Sequence, residues 1–336
     1  MITRLENGTL LFENKPRVAG YAAVVGKKES EGPLGAQFDK VIFECRGEDD
    51  TYEAAESRLQ REAARLAMEK AQLGAKDIDC IFAGDLLNQC VGSSFGLMGF
   101  GAPFLGQYGA CSTMAQSLLM GAVFVESGAA NHALCVTSSH FCAAERQYRF
   151  PLEYGAVRTP TAQWTVTGAG GCVLGKTGTA ITVSAATPGK IIDLSITDAN
   201  NMGAAMAPAA CDTILRHLKD RGMSEGDFDW IVTGDLGDFG SRMLRELCLE
   251  ASLDMEDRHL DCGSMIYSPE QNYNCRGSGC GCSAVMLAGY VLPQLEKGAV
   301  KRVLFLSTGA LMSPLSACQG ESIPGIAHAI CLVYQE

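Results

Sequence analysis

The chain is predicted to be a duplicated α/β protein, and three observations carry that prediction. Apolar strand-like runs alternate with amphipathic helix-like runs along its whole length. The order helix, strand with turn, small-residue helix, strand occurs twice. Short words also recur at corresponding places: Ala83-Gly84-Asp85-Leu86 against Thr233-Gly234-Asp235-Leu236, and Cys111-Ser112 against Cys282-Ser283. The offsets are 150 and 171 residues, so the second half carries an insertion between the two words. Such a duplication predicts two mixed sheets with helices on their faces, and 336 residues suffice for both.

The first element is a helix in DDTYEAAESRLQREAARLAMEKAQLGAKDID, where Asp50 and Glu53 have capping-box spacing and Gly74 is the expected stop. CIFAGDLLNQ is a short strand. From Leu86 to Val125 there is no Asp, Glu, Lys or Arg, but glycines and Pro103 interrupt the run. No apolar stretch reaches the ~18–20 residues of a membrane span, so a core segment that also packs against a second subunit is expected. The helix led by Cys111 follows, with Gly128 as its stop, and then the strand HALCVTSSH. In the second half ACDTILRHLKDRGMSEGDFD is a helix and DWIVTGDLGDFGS a strand and turn. GSGCGCSAVMLAGYVLPQLEKGAV is a helix and KRVLFLSTGALMSP a strand.

Hydrophobic residues make up 47% of the chain and charged residues 19%, which implies a large buried core. The formal net charge of −11 argues against a nucleic-acid partner. An acidic ligand must then be held by local donors such as helix starts and single arginines. There are fifteen cysteines and no signal peptide in MITRLENGTL, which predicts a soluble protein of a reducing interior with buried thiols. Cys262, Cys275, Cys280 and Cys282 lie close in sequence, but structural zinc sites use tighter paired spacings, so no metal is expected, nor any cofactor.

Cys111 is the most informative residue. It opens a helix whose first fifteen positions carry no charge, so the helix dipole and the free amides of the first turn favour a thiolate or a bound anion. Ser112 and Thr113 beside it would present donors toward the same pocket. His140, at the end of the following strand, and His328, in IPGIAHAICLVY, are placed at the pocket or in the core; His132, His217 and His259 are expected at the surface. Arg146 and Arg149 offer planar forks for carboxylates, or ion pairs with Glu145 or Glu153. Asp85 and Asp235 recur in equivalent turns, which suggests an inherited capping role. MGAAMAPAAC, Met202–Cys211, permits close packing or a flat aromatic ligand.

TVTGAGGCVLG at Thr165–Gly175, following the cysteine helix, resembles the thiolase and ketoacyl-synthase superfamily. EGPLGAQFD, GACSTMAQS, TSSHFCAAERQYRFPLEYG, NMGAAMAPAACDTI, DCGSMIYSPEQ, GSGCGCSAV and STGALMSP narrow the likeness to the stage V sporulation protein AD family. The resemblance implies a thiolase-like fold, each half a mixed five-stranded sheet with helices layered around it, the halves being 1–178 and 179–336. It also implies a homodimer that binds dipicolinic acid, with or without calcium. Such a protein would work with the SpoVA membrane proteins at the spore inner membrane, in dipicolinate uptake and in its release during germination. Ligand contacts are expected from Cys111, Ser112, His140, Arg146, Ser283 and His328. One departure bears on chemistry. Where the superfamily has a catalytic histidine after an Asp-Trp strand, Asp229-Trp230-Ile231-Val232 runs into Thr233-Gly234-Asp235, a glycine with an aspartate beside it. The asparagine or second histidine is replaced by Cys-Gly-Cys-Ser. Loss of an imidazole base removes about 10²–10⁴-fold of general-base catalysis, so a non-catalytic binding protein is expected. The alternative is an acyltransferase or condensing enzyme using Cys111, with His140 or His328 as base.

Overall fold

The computed structural model describes residues 1–47, 49–148 and 157–335. Ten strands form the framework: β1 (Arg17–Gly26), β2 (Cys80–Gly84), β3 (Phe104–Gly106), β4 (His132–Ser139) and β5 (Gly168–Gly175) in the first half. The second half supplies β6 (Ile181–Thr187), β7 (Trp230–Thr233), β8 (His259–Asp261), β9 (Arg302–Ala310) and β10 (Gly325–Tyr334). They lie in the order β8-β7-β9-β10-β6-β1-β5-β4-β2-β3. The two halves repeat each other in direction as well as in order. β1–β5 and β5–β4 pair antiparallel, β4–β2 and β2–β3 parallel. Likewise β6–β10 and β10–β9 are antiparallel, β9–β7 and β7–β8 parallel. The fold is thus a thiolase-like mixed α/β architecture, and the halves meet in the ladder where Thr182 lies opposite Arg17 and where Ala185 and Ala186 lie opposite Leu11 and Leu10.

The parallel strands must be covered on both faces, and their sequences are apolar accordingly. Every residue of β2 is buried, as are all but the first residues of β4 and β9. The helix α2 (Thr113–Ser127) supplies the cover. It packs on β2 and β4 of its own half and on β9 and β10 of the other. A helix wanted by two sheets cannot carry charge around most of its circumference, which accounts for the long uncharged run. Gly128, at φ 81°, ends it as expected. A second short helix, Cys280–Met286 of the other half, packs on β4 and β5. One hydrophobic core therefore contains Phe82 and Met114 together with Val285 and Phe305.

Three local expectations need correction. The helix α1 (Tyr52–Lys70) is capped by Thr51, whose Oγ1 accepts the Ala54 amide at 3.1 Å, and not by Asp50. It ends at Lys70, while Gly74 instead starts a short 3₁₀ turn closed by Asp77. His217 and His259 are buried, not surface. His217 continues the inner stripe of the helix Met202–Arg221 and meets Thr187 Oγ1 at 2.8 Å; His259, on β8, meets Thr233 Oγ1 at 2.8 Å. Burial holds both imidazoles down at about 3, so they are neutral core residues. Charged chain neighbours hid them: the strand neighbours of His259 point the other way, and the helix turns Lys219 away from the face that buries His217. The small-residue run packs closely: a Cβ at Gly203 would stand 2.6 Å from the Leu236 carbonyl oxygen. Among the described residues no helix is long and apolar enough to cross a membrane.

Gly309 on β9 is where the halves approach at the cysteine turn. A Cβ there would lie 2.4 Å from the Gly109 carbonyl oxygen and 3.0 Å from the Ser112 amide nitrogen. Gly309→Ala is expected to destabilise the fold by roughly 1–3 kcal/mol through overpacking against backbone. A lowered urea midpoint checks this, and an unchanged midpoint would show that the turn can retreat.

Candidate functional site

The site is built from one turn of each half. In the first, Gly109-Ala110-Cys111 reverses the chain just ahead of α2, with Ala110 in the left-handed region at φ 49°. The turn is closed by its own hydroxyls. Ser112 Oγ donates to the Gly109 carbonyl at 2.6 Å and Thr113 Oγ1 to the Ala110 carbonyl at 2.6 Å. Both side chains are thereby directed back into the turn and away from any ligand. What remains facing outward is Cys111.

The second turn follows β7. Asp261, on β8, accepts the amides of Leu236 and Gly237, each at 2.9 Å, and that of Ser264 at 3.0 Å, together with the Thr233 hydroxyl at 2.7 Å. This shapes Gly234-Asp235-Leu236 so that the Asp235 carboxyl points across the interface between halves. It accepts from Thr308 Oγ1 at 2.7 Å, the Gly279 amide at 2.9 Å and Ser278 Oγ at 3.3 Å. It also lies close enough to the Cys111 thiol for the two groups to shift each other's ionisation. The same word in the first half behaves differently: Asp85 caps its own turn, accepting the Leu87 and Ser93 amides at 2.9 and 2.7 Å.

The electrostatics of this contact reverse the reading of Cys111 as a thiolate. Burial pushes its thiol well above the ordinary value, and the adjacent Asp235 carboxyl pushes it further. The helix dipole supplies about 0.3–1 kcal/mol, up to ~2 kcal/mol when partly buried. A buried anion costs several kcal/mol, so desolvation wins. Burial also raises Asp235, to about 7, against Thr308, Cys111 and Gly279, which favour its ionised form. Burial raises Asp261 to about 6. A histidine here would stabilise a thiolate once protonated; a carboxylate repels one.

Over Cys111 lies a cavity of about 40 Å³, bordered by Leu86, Glu145, Thr165, Met202, Ser278 and Met312 among others. That is room for a few waters. Glu145 is buried; it accepts from Thr165 Oγ1 at 3.0 Å and pairs with Arg158 at 3.0 Å.

Of the residues expected at the site, only Cys111 borders this cavity. His140 lies apart from it, with Nε2 2.7 Å from the Cys45 carbonyl oxygen and its ring 5.6 Å from Tyr52. Arg146 is exposed and pairs with Glu53, while Arg149 and Glu153 lie outside the described residues. Ser283 accepts from Ser307 Oγ at 3.1 Å inside the packed helix. His328 Nδ1 accepts the Gly189 amide at 3.0 Å, and burial holds its imidazole at about 4. The second-half cysteines are dispersed: Cys280 donates to the Ser138 carbonyl at 2.9 Å and Cys275 accepts the Phe239 amide at 3.2 Å. Sequence reasoning missed Asp235 as the partner of Cys111, although the signal was present in the aspartate beside the substituted histidine. Glu145, Arg158, Thr165 and Ser278 carried no local signal.

Comparison with known proteins agrees with this fold. The family model of stage V sporulation protein AD matches residues 6–333. Stage V sporulation protein AD of Bacillus subtilis (strain 168) is 42% identical over 322 residues, covering 96% of this chain and 95% of that one. Among solved structures, a variant of Xanthomonas campestris OleA superposes with a TM-score of 0.63 at 14% identity, covering 96% of this chain and 99% of that one. The 3-oxoacyl-[acyl-carrier-protein] synthase III of Aquifex aeolicus VF5 does so with 0.56 at 13%, covering 95% and 100%. At these identities the structural matches show the fold alone.

The raised Asp235 carboxyl gives a pH signature. The unfolded chain loses this proton near 3.9 and the native protein near 7, so the native state binds more protons between those values and its stability falls as pH rises through them. Relative to Asp235→Asn, the wild-type protein is expected to lose up to about 4 kcal/mol between roughly pH 4 and pH 7. Chemical denaturation of both proteins across that range measures the difference, and parallel profiles would refute a buried, protonated Asp235.

Proposed function

The chain belongs to the stage V sporulation protein AD family, and on that premise we propose that it binds dipicolinate in the cavity over Cys111 without transforming it. In this reading it serves dipicolinate uptake into the forming spore and release in germination, as a homodimer held at the inner membrane by the SpoVA membrane proteins. The observation that carries the non-catalytic part is the Cys111–Asp235 contact. A thiol held neutral by burial and by a neighbouring carboxyl is a poor nucleophile, and no imidazole reaches it among the described residues.

The lining supports a small, flat, oxygen-rich ligand. Thr165 and Ser278 contribute hydroxyls, Arg158 lies behind Glu145, and Met202 and Met312 are flexible walls able to widen a cavity of about 40 Å³. Glu145 and Asp235 would repel a bare dianion. A calcium chelate of dipicolinate carries no net charge and escapes that repulsion, so calcium is expected to strengthen binding.

One observation favours an acyltransferase instead: a carboxyl titrating at about 7 beside a thiol is a proton acceptor of suitable strength. Two experiments separate the readings. Calorimetry is expected to show dipicolinate binding, stronger with calcium and at least tenfold weaker in Ala310→Leu, which fills the cavity, or in Cys111→Ala. No heat at millimolar ligand would overturn the binding role. Incubation with acyl-coenzyme A and intact-mass measurement is expected to leave Cys111 unmodified, and a stable acyl adduct there would establish the enzyme.

A further inference from the structure

A second constellation lies away from Cys111 and shares no residue with its cavity. Cys45 follows the short strand Lys40–Ile42, His140 follows β4, and Cys142 occupies the first turn of the helix Phe141–Tyr148. Folding brings these donors, 95 and 97 residues apart in sequence, into one cluster. Cys45 Sγ is 3.6 Å from Cys142 Sγ and 3.7 Å from His140 Nε2, and the donor atoms all lie within 4.8 Å of one another. Among the described residues this is the one group of three such donors so placed. We propose that Cys45, His140 and Cys142 bind a single zinc ion, with the fourth position open.

Geometry, donor chemistry and surroundings each support this. A tetrahedral zinc with Zn–S near 2.3 Å and Zn–N near 2.0–2.1 Å holds its sulfurs about 3.8 Å apart and sulfur from nitrogen by about 3.6 Å. Two of the three separations already have those values, and the third, between Cys142 Sγ and the His140 ring, lies within 4.8 Å and closes with a small movement of the partly exposed Cys142 side chain. Two sulfurs and an imidazole form a soft set that selects zinc over calcium or magnesium. His140 contributes a ring nitrogen to the set. Its Nδ1 is buried without a hydrogen-bond partner among the described residues, so ring and proton have no competing commitment on that side.

The reaction balances simply. Both S–H bonds break, two Zn–S bonds and one Zn–N bond form, and two protons pass to solvent. His140 Nε2 gives up its hydrogen bond to the Cys45 carbonyl, and its proton moves to Nδ1. Cys45 and Cys142 also border a cavity of about 300 Å³ with Lys28, Phe43 and Trp164, so the open position faces a space large enough for water or a small anionic ligand.

Full-length protein, reduced with a phosphine and freed of chelating carboxylates, is titrated with cobalt(II) and then with zinc. One cobalt per chain is expected, with a thiolate-to-cobalt absorption band that zinc abolishes. Cys45→Ser and Cys142→Ser are each expected to weaken zinc binding at least a hundredfold, whereas Cys318→Ser, at an exposed cysteine elsewhere, leaves it unchanged. The absence of that band in reduced, folded protein would overturn the proposal. So would cobalt and zinc affinities that are the same in the wild type and the two ligand variants. Because Cys45 is exposed, its serine variant tests the site without threatening the core.

Discussion

A carboxyl group buried against a thiol governs what this molecule is able to do. Asp235 is held by Thr308, the Gly279 amide and Ser278, and it faces Cys111 across the interface between the two halves. The carboxyl raises the energetic cost of ionising the thiol, whereas the thiol favours the ionised carboxyl. Burial does the rest, leaving Asp235 at about 7 and Cys111 far above the range of a working nucleophile. The surrounding hydrogen bonds, the turn set by Asp261 and the close pass of Gly309 all serve to fix this pair. A thiol so placed is held in its neutral form.

The duplication shows how such a pair arises. Asp85 and Asp235 occupy the same word after corresponding strands, and the first caps its own turn in the usual way. In the second half Asp261 takes over the turn amides, which releases the Asp235 carboxyl to reach the other half. Similar local sequence, with one extra acid on the neighbouring strand, gives two different roles.

Much of the framework was legible from periodicity and repetition. The alternation of elements, the uncharged α2 and its glycine stop are local properties, set by which faces must be buried. The site was less legible, because it is assembled from residues far apart in the chain. Cys111 was visible as a thiol at a helix start, but its protonation is set by burial and then by Asp235, more than a hundred residues later. His217 and His259 were misplaced because their charged sequence neighbours gave no sign of how deep the histidines themselves lie. His140 was expected at the Cys111 pocket, but the groups it approaches are Cys45 and Cys142, which sequence spacing does not connect. Ser112 illustrates the opposite error: adjacency to Cys111 suggested a shared task, whereas its hydroxyl is consumed by the turn.

The position of α2 has a consequence for how the protein is made. This helix is apolar around most of its surface, and part of its cover comes from β9 and β10 at the far end of the chain. On the ribosome it emerges roughly two hundred residues before those strands exist, at synthesis rates of about 5–20 residues per second. For that interval, on the order of ten seconds or more, a sticky helix stands exposed on an unfinished first half. Vectorial synthesis thus makes this fold a natural client for chaperones, and the repeat that built the fold also obliges its first copy to wait for its second.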